Sequence, residues 1–243
     1  MSKTDKHLTP ILVKASNEEL EPLVEYILKA TASETLSIDP TYKQQQPNHK
    51  MYVSAIEHEI RTFGGNTMAN MFRGTGPSYY EIAWDVAKKV GAKIEKGDSI
   101  VEIEMGILLS IMGKAWETMS EEDRLRFLEE ANLGDDLKAG KSIPKALPIL
   151  AIQTAIKLSG FFAYRFAALV SNALAKAILG RGLAFGANIA LMRGIAVIAG
   201  PIGWALTGIW TVWDIAGPAF RVTLPCVVHI AMLRLQYSQK SGG

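Results

Sequence analysis

The chain is predicted to be all-α, a multi-helix bundle with a glycine-rich, apolar helical hairpin in its C-terminal half. Three observations predict this. No run alternates apolar and polar residues strictly enough for a half-buried strand. Apolar residues recur instead at three- and four-residue intervals over most of the chain. Serines with an acid three residues on, at Ser16, Ser78, Ser99 and Ser120, mark four helix starts in the first 130 residues.

The elements follow in order. Thr9-Pro10 places a cap before a proline at the first helical position and opens a short helix, Ile11–Ala15. Ser16 and Glu19 form a capping box, followed by Leu20, Leu23, Val24, Ile27 and Leu28 at helical spacing. Residues 31–48, with Pro40, Gln44–Gln46 and Pro47, read as a loop. Met51, Tyr52, Ala55, Ile56 and Ile60 then carry a helix into Phe63.

Gly64 and Gly65 stop that helix, because glycine takes the left-handed conformation without a Cβ clash. Asn66 caps a short helix that sets Asn66, Asn70 and Arg73 on one face, with Met68, Ala69, Met71 and Phe72 as its apolar surface. Arg73-Gly74-Thr75-Gly76-Pro77 breaks the chain again. Ser78 and Glu81 open a helix with Tyr79, Ile82, Val86 and Val90 inward and Gly91 at its end. Glu81 and Asp85 lie one turn apart on it.

A turn at 96–98, a capped helix from Ser99 to about Trp116, and a helix Glu121–Ala131 with acids in its first turn complete the first half. Gly134, Gly140, Pro144 and Pro148 make 132–148 the linker. The predicted layout is an acidic helical region 1–131, the linker, a basic and apolar region 149–237, and a tail 238–243.

The second region opens on a long apolar helix ending at Gly180-Arg181-Gly182, with Lys157, Arg165 and Lys176 near one side. Gly182, Gly186, Ala190 and Gly194 follow four apart, the small-residue spacing that lets helix backbones approach. Gly194–Trp213 is a 20-residue run without a charge, holding three of the five tryptophans. Gly200-Pro201 interrupts it, and Gly208 continues the small-residue pattern. A hairpin over 182–216 results, whose arms, at ~1.5 Å per residue, span ~21–26 Å against a ~30 Å hydrocarbon core. That length favours a hairpin packed in protein or lying in the interface over a constitutive transmembrane pair. A connector, 216–225, leads to a last helix, Cys226–Tyr237, started by Pro225.

The stretch from Glu57 to Lys89 holds the most position-specific residues. One reading makes Asn66, Asn70, Arg73, Glu81 and Asp85 a polar interaction site, with Gly64, Gly65, Gly74 and Gly76 letting a ligand approach the backbone. The other makes them a paired structural network fixing helix angles. The spacing of a P-loop is absent.

The segment FGGNTMANMFRGTGPSYYEIAWDVAKKV, with AGPAFRVTLPCVVHIAMLRL at 216–235, resembles the signature of the YaaW-like family of bacterial proteins. The likeness runs from about Met51 onward. The family is grouped with ubiquinol–cytochrome c chaperone-like proteins, so the resemblance also implies a soluble chaperone or assembly factor as an alternative function.

The formal charge of +2 hides an asymmetry. Residues 1–145 hold 18 Lys and Arg against 23 acids; residues 146–243 hold 8 against one, Asp214. A basic, apolar half points to an anionic membrane surface or an apolar or acidic protein partner. Nucleic acid is not expected, because the cations are spaced singly. The only cysteine, Cys226, implies a reducing compartment, and the N-terminal residues lack the apolar core of a signal peptide. A cytoplasmic protein, peripheral to or inserted at the inner membrane, is expected. No histidine or cysteine pair has metal-ligand spacing, so no metal or cofactor is expected. His58 is expected at the surface and His229 in the core. The leading expectation is a non-enzymatic, membrane-associating protein whose N-terminal half binds a partner or regulates. Homo-oligomerisation is compatible with the glycine ladder, and an enzyme using Glu81 and Asp85 ranks third.

Overall fold

A computed structural model describes residues 4–29, 34–64, 76–130, 152–153, 156, 159–183 and 219–240. Among the described residues the fold is all-α, with ten α-helices, one 3-10 turn and no strand. The helices are α1 (Thr9–Lys14), α2 (Asn17–Lys29), α3 (Glu34–Ile38), α4 (Pro40–Gln45), α5 (Val53–Gly64), α6 (Tyr79–Val90), α7 (Ile100–Thr118), α8 (Glu121–Glu130), α9 (Gly160–Leu179) and α10 (Phe220–Lys240). The 3-10 turn is His49–Tyr52.

The capping boxes of Ser78 with Glu81 and Ser99 with Glu102 are both formed. Ser16 and Glu19 pair in the same way, and the Ser120 hydroxyl accepts from the Asp123 amide. Thr9 does not cap α1. Its hydroxyl donates to Glu57 at 2.6 Å, and the Asp5 carboxylate accepts the His7 and Leu8 amides instead. The predicted loop 31–48 contains α3 and α4. Pro40 stands at the first helical position of α4 and Asp39 caps it by accepting from the Tyr42 amide, the Asp-Pro helix start that a composition-based loop assignment overlooks.

The core is built around α10, which packs on α1, α2, α5, α6, α7 and α9. Phe220, Val222, Leu224, Val227, Val228, Ile230, Met232 and Leu233 are all buried, so this helix is apolar nearly all round. Helices from both sides of 132–148 thus share one core. α10 starts five residues before Pro225, which sits inside it. The missing N–H at Pro225 removes one bond of the second turn, a loss that burial on all sides outweighs.

α9 lies antiparallel to α10: the Gln239 side chain donates to the Gly160 carbonyl at one end, and Ser171 meets His229 in the middle. α9 begins at Gly160, capped by the Ser159 hydroxyl, later than the long apolar pattern suggests. Among the described residues it is the one helix long and apolar enough to cross a bilayer, but 61% of that stretch is buried inside the protein, as in a core helix.

Candidate functional site

The FGGN–RGTG motif begins in the last turn of α5 and returns to the described chain at Gly76. Both ends meet at Arg61. Its Nε donates to the Pro77 carbonyl at 3.0 Å and its Nη2 to the Gly76 carbonyl at 3.1 Å. Gly76 crosses so close to α5 that a Cβ there would stand 2.5 Å from the Arg61 carbonyl oxygen. Glycine at 76 is therefore a requirement of close approach.

Arg61 opens a buried polar chain through the bundle. Its Nη1 lies 3.4 Å from Glu57 Oε1, one turn back on α5. Glu57 Oε1 accepts the Asp5 amide at 3.0 Å and Oε2 the Thr9 hydroxyl. Asp5 Oδ2 accepts the Tyr79 amide at 2.8 Å, at the start of α6. The Tyr79 hydroxyl donates to Glu104 Oε1 at 2.7 Å. Arg234 of α10 closes the chain with a two-pronged contact, Nε to Glu104 Oε2 at 2.8 Å and Nη2 to Oε1 at 3.1 Å, and also donates to the His7 carbonyl. Burial raises the Glu104 carboxyl above its ordinary range, while Arg234 and the Tyr79 hydroxyl oppose that shift. Burial likewise pushes the Tyr79 phenol well up, so it stays a donor.

The sequence-predicted site residues divide accordingly. Gly64 ends α5 and Gly76 lies at the Arg61 clamp. Gly65, Asn66, Asn70, Arg73 and Gly74 lie outside the described residues. Glu81 and Asp85 are exposed on α6. Glu81 Oε2 accepts both the Ser78 amide and hydroxyl, which commits it to the helix cap. The buried network was missed by sequence reasoning. Its signal was there: Glu57, Glu104 and Arg234 are charges at inward positions of apolar helices, and a buried charge requires a partner. His58 is exposed, as expected. His229 is fully buried and satisfied: Nε2 donates to the Glu19 carbonyl at 2.8 Å, joining α10 to α2. Burial lowers it to about 4.

In the glycine ladder, Gly182 is described; Gly186, Ala190, Gly194, Gly200, Pro201 and Gly208 lie outside the described residues. Gly182 has a local reason to be glycine. A Cβ there would stand 2.8 Å from Asn172 Oδ1, the atom that accepts the Leu183 amide as the chain turns back over α9. Arg181, in that turn, reaches Glu25 at 2.7 Å and Glu21 at 3.4 Å on α2.

An open groove of about 770 Å³ follows the outer face of α7, lined by apolar Val101, Met105, Leu109 and Leu235 with Lys93 and Lys114 among its charges. Among the described residues, no group of three His, Cys, Asp or Glu side chains would hold a metal ion.

Comparison with known proteins gives relatives over most of the length. A UPF0174 protein of Helicobacter pylori strain J99 is 35% identical over 207 residues, 85% of this chain and 80% of the relative. A UPF0174 protein of Helicobacter pylori strain 26695 is 31% identical over 86% of this chain and all of the relative. The UPF0174 protein YaaW of Escherichia coli K12 is 31% identical over 192 residues, 78% of this chain and 74% of the relative. No family model matches, and no solved structure matches.

Proposed function

The chain belongs to the UPF0174 family, and from that premise we propose that it is a non-enzymatic helical protein that attaches to a membrane through residues 182–216, with the helical body as its partner-binding or regulatory part. The observation that carries this is the long uncharged stretch of sequence that joins two buried helices. Antiparallel packing sets the C-terminal end of α9 beside the N-terminal end of α10. The chain between them contains Gly194–Trp213, 20 residues without a charge. The longest uncharged run in the chain thus lies in sequence between two buried, packed helices. Its isoleucines, valines and leucine each favour lipid, while α9 and α10 are buried in the protein core.

Fractionation of cells containing the untagged protein tests the proposal. Retention in the membrane pellet through a high-salt wash and then an alkaline wash is expected of an inserted segment. Release by salt alone reduces the contact to surface electrostatics. Recovery in the soluble fraction alone refutes membrane attachment.

The groove along α7 favours a second reading, a soluble assembly factor that receives an apolar segment of a client protein there. That reading predicts soluble recovery and loss of client capture on Met105→Glu with the thermal melt unchanged.

A further inference from the structure

We infer that the groove along α7 is a binding site for one long hydrocarbon chain, the acyl chain of a single-chain lipid taken up as a monomer. The inference goes beyond both readings above, since it needs neither residues 182–216 nor a client protein.

The groove runs beside α7 from Val101 to Glu117, about 24 Å at ~1.5 Å per residue. The start of α9 and Leu235 of α10 also line it. Val101, Met105, Leu109, Ile156 and Leu235 give it an apolar floor. Val101 is 42% exposed, and Met105, Ile156 and Leu235 are half-buried, so each has apolar surface left to cover. Gly106 and Gly113 add no side chain to the trough.

The polar groups along it are spoken for or balanced. The Ser110 hydroxyl donates to the Val90 carbonyl. The carboxylates of Asp98 and Glu102 accept the amides of Glu95 and Ser99. The other lining charges, Lys93, Glu95, Lys114 and Glu117, are two of each sign. The groove therefore reads an apolar chain and not the charge of a head group.

Dimensions decide the occupant. Spread over that length, 770 Å³ is a mean section of about 32 Å². A helix with its side chains, about 10–12 Å across, has a section of about 80 Å² or more, so it could enter by one edge only. An extended peptide is thinner but carries polar backbone groups along its whole length. Among the described residues the fold has no strand whose edge could pair them, and burying them unpaired is costly. A hydrocarbon chain is thin and has no polar group to satisfy. The volume also falls within the ~300–1,000 Å³ of small-molecule sites.

The test is isothermal titration calorimetry of the full chain with octyl, decyl and dodecyl maltoside, uncharged probes kept below their micellar concentrations. At the ~3.5 Å that three bonds of an extended chain span, a dodecyl chain reaches ~13 Å and fits lengthwise. One site per chain is expected. Affinity should rise about fourfold per methylene, roughly 200-fold from octyl to dodecyl. Met105→Glu puts a charge in the floor and should weaken dodecyl maltoside binding on the order of 10-fold or more. Val13→Glu, an exposed change on α1, should bind as wild type does. Should Met105→Glu fail to fold by circular dichroism, Val101→Glu replaces it, with a loss expected in the same direction. Undiminished binding by the groove variant would overturn the inference, since the chain would then lie elsewhere, the uncharged 194–213 run included. Affinity independent of chain length would overturn it too, as would binding that starts only with micelles. Binding of a helical apolar peptide without any binding of dodecyl maltoside would overturn it and return the groove to a client protein. Each of these results leaves attachment through 182–216 standing, because cell fractionation tests that separately.

Discussion

Replacing Arg234 by methionine is the sharpest probe of the bundle. Arg234 makes two charged bonds to Glu104 and one to the His7 carbonyl, and it lies over the Tyr79 ring at 5.8 Å. Methionine fills much of the same volume but leaves the Glu104 carboxylate, 3% exposed, with the Tyr79 hydroxyl as its remaining bond of those described. Removing one partner of a buried ion pair costs about 3–5 kcal/mol. The reverse change, Glu104→Leu, should cost less, because the Arg234 side chain is 16% exposed and can reach water along its stem. The double variant should cost about 0–2 kcal/mol, since an apolar pair carries no desolvation penalty. Urea unfolding followed by far-UV circular dichroism gives all three values. The reasoning fails if the two single changes simply add in the double variant, a coupling below about 0.5 kcal/mol, because residues sharing one network must couple.

Two further outcomes follow from the same geometry. Burial holds His229 at about 4 against 6.5 for a free imidazole, so below pH ~6.5 the unfolded chain binds a proton that the folded chain refuses. Stability should fall by about 3 kcal/mol as the pH drops from ~6.5 to ~4. His229→Gln, which keeps a donor for the Glu19 carbonyl, should flatten that slope in urea titrations, and an unchanged slope would remove His229 as its source. Gly76→Ala should destabilise by about 1–3 kcal/mol, because the new Cβ meets backbone at 2.5 Å and α5 or the 76–77 strand of chain must shift. A melt within a degree of wild type would mean that the crossing has slack.

Much of the fold was legible because it rests on local chemistry. Serine–acid pairs mark helix starts by satisfying free amides within four residues, and three such boxes form as read. The positions that misled are those where a distant group competes for the same atoms. Thr9 has a cap's identity, but Glu57, 48 residues on, takes its hydroxyl. Pro225 has a helix starter's identity, but the buried surface of α10 carries the helix back to Phe220. The candidate site was legible as a stretch, through its glycines. What clamps it was not. Arg61 is one charged residue among several on α5, and nothing nearby in sequence says that Gly76 will return to it. Glu104 and Arg234, 130 residues apart, were visible one at a time as charges on apolar faces, but their pairing is a property of the folded bundle.

The central position of α10 also governs how the protein is made. The core closes only when the segment 220–240 arrives: Arg234 anchors to the chain at His7, 227 residues earlier, and His229 to Glu19, 210 residues earlier. At ~5–20 residues per second of synthesis, α5 waits roughly 10–35 seconds for its partner. During that interval the inner faces of α2, α5, α6 and α7 are without the helix that covers them. The uncharged 194–213 run is also synthesised before α10. A newborn chain therefore offers apolar surface to whatever lies near the ribosome before it can offer it to itself. The order of synthesis leaves that surface uncovered until the last helix is made.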